Sequence, residues 1–419
     1  LFIDINALHT GTVRNHIDSL TRFSENEIFI AECRSDIHRK LPLERFDVLV
    51  FHYSVVISRL DFVSEELASR CASFRGLKVL LIQDEYRWID ATVAAALRLD
   101  IDVIFTVVNE RLIEVIYGHP ALKRVRKEQT LTGFVPEDLL DYPVIPFERR
   151  LIDVGYRGRS VPFWLGAFAR EKMLIGQRFA TEAPLYGLQV DIAFDEQSRL
   201  YHKDWVRFLA RCKAVLGTES GASICDFSGD LQHQVDAYQA KHPDASFEEV
   251  SELFFKNVDG QHTINVISPR CFEAATLRTL MILYPGEYSG ILQPNRHYVV
   301  LAKDHSNMED VVAVLRSPAR AQSIIEAAYH EVARNPVNTF RHFVQHFDRV
   351  VAEELSARSV PLAPRLRGDK YRIRWEFCRY VAMYGLRGYV FRLAKILHPY
   401  LPPKLRSGLR HVAERAGLA

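Results

Sequence analysis

The run Ser268-Pro269-Arg270-Cys271-Phe272-Glu273 places a proline, a guanidinium and a carboxylate within about one turn of a helix start. A helix opening near Arg270 directs free backbone N–H groups and the positive end of its dipole outward, an arrangement suited to an anionic diphosphate. Arg157 and Arg159, in Gly155-Tyr156-Arg157-Gly158-Arg159, are followed by Arg170 and Lys172. A guanidinium grips phosphate bidentately, and an ammonium supplies a point charge. In Val215-Leu216-Gly217-Thr218-Glu219-Ser220-Gly221-Ala222-Ser223 an apolar strand runs into small polar residues. That pattern makes a backbone-lined pocket at a strand end, with Glu219, Ser220 and Gly221 at its mouth. Nearer the amino terminus, His52 and the pair Asp84-Glu85 end apolar runs, and His16 closes the stretch Ala7 to His16. These four titratable groups are the candidates for moving a proton, in no fixed order.

Other chemistries lack their residues. No Gly-x-Gly-x-x-Gly fingerprint marks an NAD site. The six cysteines are scattered, with no Cys-x-x-Cys and no zinc spacing. Asp100-Ile101-Asp102 precedes its strand, the wrong end for a metal-diphosphate site. Neither a metal nor a resident cofactor is expected.

The elements that must position these groups alternate between two types. Strands are predicted at 1–5, 27–31, 47–53, 78–83 and 102–107, with helical spacing between them, as in Ser64 to Cys71. Near-continuous apolar strands between helices indicate a parallel sheet covered on both faces. A short strand-like piece at 128–131 runs into Gly133 and Pro136, and prolines 143 and 146 follow. A second alternation has strands at 151–155, 189–194, 214–217, 280–284 and 298–301. Its helices fall at 163–175, 205–212, 270–277, 308–316 and 319–335. The fold class is therefore α/β, two Rossmann-like doubly wound domains. The first covers 1–135 and the second 151–350, with a linker at 136–150 and an acidic insertion around 226–262.

A chain of 419 residues exceeds one ordinary core. No stretch reaches the roughly 18 apolar residues of a membrane span, and no leader pattern opens the chain. It begins at Leu1 inside an apolar run, which reads as a chain whose first residues are missing or processed. Scattered single cysteines suit a reduced, cytoplasmic setting. The net charge of +2 conceals an asymmetry. Residues 365–419 hold 13 Lys and Arg against three acids, and the rest holds 41 basic and 49 acidic side chains. This tail mixes Arg372, Arg374 and Arg379 with Trp375, Phe377 and Tyr380, and its pattern is helical. Basic and aromatic residues on a helix suit an anionic membrane surface, so a peripheral position at the inner face follows. Packing on the acidic body or on a partner subunit is the alternative, and no motif points to nucleic acid.

From Ser268 to Leu315 the order of features is itself informative. Glu273-Ala274-Ala275 opens a helix, and a short strand precedes Pro285-Gly286. A further strand then leads to a helix opened by Glu309-Asp310. In this the chain resembles the carboxyl-terminal domain of the GT-B glycosyltransferases of the group 1-like kind, over roughly Leu151 to Phe347. The resemblance implies a nucleoside-diphosphate-sugar donor held in the second domain without a metal, and a hydroxyl acceptor presented by the first. It gives Glu273 the donor ribose, and Arg157 or Arg159 with Lys172, Ser268 and Arg270 the diphosphate. It implies a Glu-x7-Glu pair ending at Glu273, but Asn265 stands eight residues earlier, so Glu219 is expected to replace the first acid in space. A surface polysaccharide or lipid-linked glycan is the acceptor expected. An epimerase, a sugar phosphorylase or a non-catalytic membrane scaffold on the same fold stays open.

Overall fold

A computed structural model describes residues 1–34, 41 and 43–358. Six parallel strands form the first sheet. They are β1 (Phe2–Ile3), β2 (Ala31–Glu32), β3 (Val48–Phe51), β4 (Leu77–Leu81), β5 (Val103–Thr106) and β6 (Arg126–Gln129), in the order β2-β1-β3-β4-β5-β6. Crossovers run through α1 (Gly11–Phe23), α2 (Glu65–Ala72), α3 (Ile89–Arg98) and α4 (Glu110–Tyr117). β4 is buried along its whole length, as a central strand covered on both faces must be. The strand expected at 27–31 pairs only at its end, where Phe2 faces Ala31 and Ile3 faces Glu32.

Five parallel strands form the second sheet, β7 (Ile152–Arg157), β8 (Val190–Ala193), β9 (Cys212–Gly217), β12 (Leu280–Leu283) and β13 (Val299–Val300), in the order β13-β12-β9-β7-β8. Helices α5 (Gly166–Glu182), α6 (His202–Arg211), α9 (Pro269–Thr276), α10 (Met308–Leu315) and α11 (Pro318–Ala328) cover it. The order reverses between β7 and β9, so a crevice opens beyond their carboxyl ends. Arg157 ends β7 and Gly217 ends β9. Both lie on that crevice.

Two features depart from the sequence reading. First, the acidic insertion forms the tip of an antiparallel hairpin, β10 (Ser220–Ala222) with β11 (Ile264–Val266). It carries α7 (Asp230–Lys241) and α8 (Phe247–Val250), whose Val235, Phe247 and Val250 pack on Trp164 and Leu165. Second, α12 (Phe340–Ala357), grouped above with the second domain, packs on the first. Its stripe of Phe343, Val344, Phe347, Val350 and Val351 meets Val79, Leu81, Val103 and Phe105 of β4 and β5. The chain thus crosses between sheets twice, and the two passes touch where the Val135 amide donates to the Asn338 carbonyl at 2.8 Å.

The segment 136–150 is fastened to the second sheet by Arg150, only 4% exposed. Its guanidinium donates to the carbonyls of Ile145, Cys212 and Leu277 and to the Thr279 hydroxyl. Burial pushes its pKa down to about 10, and no carboxylate pairs with it among the described residues.

Candidate active site

The crevice between the two sheets encloses about 1000 Å³, enough for a nucleotide with more besides. Its floor is the second sheet, with Leu216 and Gly217 at the end of β9 and Tyr156 and Arg157 at the end of β7. Its roof comes from the first domain, where α1 contributes Asn15, Asp18 and Arg22. Eight Lys and Arg side chains line it against four acids. Half of these cations are matched, for example Arg22 by Asp138 and Arg207 by Asp204, and among the described residues the exposed Lys203 has no ion-pair partner.

Arg159, Lys172 and Arg270 have no carboxylate within ion-pair distance among the described residues. Arg159 and Arg270 are exposed to the crevice, and Lys172, on α5, is half-buried beside them. Burial pushes the Lys172 ammonium down to about 8, and the charges of Arg159 and Arg270 add to the lowering. Three unmatched cations repelling one another in a partly dry site stabilise the empty protein poorly. Such a cluster suits a multiply charged anion. The start of α9 points to the same place. Ser268 is its N-cap residue without using its side chain as the cap, Pro269 occupies the first turn, and Ser268 to Cys271 line the crevice.

Glu273 lies one turn further along α9. Its Oε2 accepts a hydrogen bond from Trp205 Nε1 at 2.8 Å. Burial raises its pKa, while the indole N–H and Arg270 lower it. One carboxylate oxygen is thereby fixed by α6 while the group still lines the crevice, as a hydroxyl acceptor should. The Arg270 guanidinium donates to the Arg157 carbonyl at 2.6 Å and lies 5.1 Å from the Trp205 ring. Trp205 was missed in the sequence. Its helical spacing marks α6 as amphipathic, but nothing local says that its polar tip meets α9.

Several expected residues lie elsewhere. Arg157 is committed to its own sheet, paired with Asp191 at 2.8 Å, bonded to the Ser198 carbonyl and stacked 4.2 Å over Phe208. The question of which arginine is free is answered by Arg159. Glu219 is 7% exposed and does not line the crevice. Its carboxylate accepts from the Tyr288 amide at 2.7 Å and from Asn265 Nδ2 at 3.2 Å. It does meet position 265, yet the two side chains satisfy each other inside the protein. Ser220 lines the crevice. Gly221 instead pairs with Asn265 in the hairpin at φ 128°, where a Cβ would lie 1.8 Å from the Ile264 carbonyl oxygen. It is there for close backbone approach.

Among the proton-moving candidates, His16 and His52 form a buried pair, Nε2 of His52 lying 3.1 Å from Nδ1 of His16. His16 also packs against Phe343 of α12. Burial pushes His16 down to about 3. Burial, aided by His16, pushes His52 down to about 2, so both rings are neutral and out of reach of the crevice. Glu85 is 5% exposed and accepts from the hydroxyls of Thr106 and Tyr117 and from the Val107 amide at 3.2 Å. Burial raises its pKa to about 7, with those hydrogen bonds opposing. It is an internal brace. Asp84 alone of the four is exposed, in a left-handed backbone conformation (φ 60°) just past β4. Tyr86 donates its hydroxyl to Oδ1 at 2.8 Å. The Asp84 charge opposes the lowering of Lys172, so the two groups lie within electrostatic reach, although Asp84 itself borders a smaller cavity of the first domain and not the crevice. Among the described residues no group of three or more His, Cys, Asp or Glu is arranged to hold a metal.

No protein-family model and no curated protein sequence matches the chain. Solved structures do. An alpha-glucosyltransferase in complex with UDP-glucose and DNA containing an abasic site superposes with a TM-score of 0.51 at 8% identity, over 84% of this chain and 98% of that one. Anabaena Alr3699/HepE in complex with UDP gives a TM-score of 0.48 at 11% identity, over 85% and 99%. An alpha,alpha-trehalose-phosphate synthase (UDP-forming) from Burkholderia xenovorans gives 0.40 at 9% identity, over 74% and 73%. Identities this low speak to the fold, and the first superposition, nearly end to end on its partner, carries it. Two doubly wound sheets face each other across a crevice, and α12, the last described helix, returns to the first. This chain has the GT-B fold of the glycosyltransferases.

Proposed function

We propose that the chain is a glycosyltransferase that moves a sugar from a nucleoside-diphosphate donor to a hydroxyl acceptor without a metal. The observation that carries the reading is the convergence of Arg159, Lys172 and Arg270, unmatched by carboxylates, on the start of α9 inside the crevice. Glu273, held by Trp205, takes the ribose hydroxyls. The diphosphate lies against the cations and the first-turn amides of α9. When the bond between the sugar C1 and the diphosphate oxygen breaks, its electron pair leaves with that oxygen. The three cations neutralise the charge that develops there. The acceptor oxygen forms the new bond to C1, and its proton passes to Asp84. Asp84 is the one exposed proton-moving candidate, and it lies within electrostatic reach of Lys172. A uridine nucleotide is the first donor to try, because UDP and UDP-glucose occupy structures of similar fold.

The acceptor in this reading is a surface polysaccharide or lipid-linked glycan. The basic, aromatic tail at 365–419 lies outside the described residues and would hold the enzyme to an anionic membrane from the cytoplasmic side. Among the described residues no helix is long and apolar enough to cross a membrane. One similar structure holds DNA, so an oligonucleotide acceptor is the rival outcome of an acceptor screen.

The test is titration calorimetry with UDP, GDP and ADP. One of them should bind, chelation of divalent ions should leave its affinity unchanged, and Arg270→Ala should weaken it about tenfold or more. Binding of none, or equal binding by wild type and Arg270→Ala, sinks the donor site. Formation of a sugar 1-phosphate from a glycan and inorganic phosphate, with no nucleotide required, would favour the phosphorylase instead.

A further inference from the structure

We infer that the second domain positions Asp84 by direct contact with its loop, through the segment Cys225 to Gly229 at the base of its insertion. The inference rests on the reading that Asp84 acts on the acceptor. The loop from Asp84 to Trp88 contains two left-handed residues that are not glycine, Asp84 at φ 60° and Trp88 at φ 51°. Aspartate tolerates that region, whereas tryptophan does so only where its surroundings hold it. Trp88 is also the residue before α3, and its side chain makes no capping hydrogen bond.

What holds the loop comes from the other domain. The amide of Ile89 donates to the Asp226 carbonyl at 3.4 Å and that of Asp90 to the Phe227 carbonyl at 3.0 Å. The second domain's backbone thus satisfies the first two donors of α3, which the helix itself leaves unmet. In the reverse direction the Asp226 amide donates to the Tyr86 carbonyl at 2.8 Å, and Arg87 pairs with Asp226 in a parallel bridge. Trp88 is covered by Gly229, which sits at φ 87°, where a Cβ would lie 2.4 Å from the indole Cδ1. Asp226 is 4% exposed, and its carboxylate accepts from the amides of Gly229 at 2.9 Å and Gln232 at 2.8 Å, fixing this strip of backbone. Cys225 and Phe227 pack against the first domain's core.

The strip is tied in turn to the helix that carries Lys172. Ser223 Oγ accepts from the Phe168 amide at 3.1 Å, and Asp259 accepts from the Ala167 amide at 2.9 Å, both in the first turn of α5. Ser223 and Asp259 also bond each other at 2.5 Å. One continuous set of contacts therefore runs from the cation-bearing helix to the loop that aims Asp84. Asp226 and Gly229 are positioning residues. They touch neither the donor cations nor the Asp84 carboxylate.

The full chain tests this with Gly229→Ala and, in case that variant misfolds, Asp226→Ala. Amide hydrogen exchange at Ile89 and Asp90 should accelerate at least tenfold in a folded variant, while the amides of Val93 to Ala96 within α3 keep their protection. Unchanged protection at Ile89 and Asp90 in both variants overturns the inference, and this arm needs no substrate. In UDP release from UDP-glucose, kcat should fall about tenfold with KM unchanged, and Gly229→Ala should add no further loss to Asp84→Asn. Losses that multiply would show that the segment acts by another route. Full activity in Asp84→Asn would sink Asp84's proposed role alone, leaving hydrogen exchange to decide the positioning.

Discussion

The three-cation cluster makes a quantitative prediction about pH. Lys172 sits near pKa 8 in the empty crevice, against an ordinary 10.5. A bound diphosphate supplies the missing countercharge and returns the ammonium to its ordinary range or above. Affinity for the anion is then full where Lys172 is protonated in both states, below about pH 8, and falls as pH rises through the free-state value. With about one unit between pH 9 and that pKa, binding requires proton uptake by roughly ten sites in eleven, so Kd at pH 9 is about tenfold weaker than at pH 7. The phosphates of UDP keep their charge over most of this window, and the slope from its uracil imide, which begins to ionise at the upper end, is measured on free UDP and subtracted. Asp84 opposes the lowering of Lys172. Asp84→Asn should therefore shift the loss of affinity to lower pH. Calorimetry with UDP at half-unit steps, at constant ionic strength, reads both effects. Lys172→Met should bind weakly and with no slope across the same range. A flat wild-type profile, or an equal slope in Lys172→Met, refutes the assignment of the cluster as the diphosphate site.

Three further outcomes follow from named contacts. Trp205→Phe removes the indole donor from Glu273, and one lost hydrogen bond of about 1 kcal/mol predicts roughly fivefold weaker UDP binding, with no further effect in a Glu273→Ala background. The buried His16–His52 pair has folded pKa values of about 3 and about 2, below the ordinary 6.5. The unfolded chain therefore binds more protons between those limits. The stability contributed by the neutral pair is present above pH 6.5 and lost as pH falls, by about 4 kcal/mol for two groups at pH 5. Urea melts should show this slope, and replacing His16 with asparagine should reduce it to about half. Truncation after Pro364 should leave UDP affinity unchanged and weaken sedimentation with anionic vesicles. Equal sedimentation of both forms would reject the membrane role of the tail.

Much of the fold was legible because its strands are continuous apolar runs. Val48 to Phe51, Val103 to Thr106 and Leu280 to Leu283 each stand between helical patterns, and each proves to be a strand. The hairpin was not legible, since its strands are three residues each and 41 residues of insertion part them. Nor was the allegiance of α12. An amphipathic stripe declares that a helix buries one face, and it does not declare which sheet receives that face. At the site, Arg270 and Glu273 were found through the helix start that carries them. Arg157 and Arg159 could not be separated because they lie two apart in extended chain, on the same side. What separates them is Asp191 on β8, a partner from the neighbouring strand that claims Arg157 and leaves Arg159 free.

Asp84 and Glu85 show where such reasoning can be extended. They are adjacent in the turn just past β4, where the left-handed backbone at Asp84 gives the two side chains different surroundings. Asp84 is exposed, whereas Glu85 is buried. Tyr86, two residues on, donates its hydroxyl to Asp84, while Glu85 reaches Thr106 at the end of β5 and Tyr117 at the end of α4. By titration alone Glu85, at about 7, is the more attractive base. That value arises from burial, and the same burial denies it any acceptor. The expected outcome is that Glu85→Gln perturbs thermal stability with UDP-glucose turnover per folded molecule intact, whereas Asp84→Asn does the reverse. The converse result would mean that the crevice rearranges to expose Glu85. Reach decides which carboxylate can act, and pKa only decides how well.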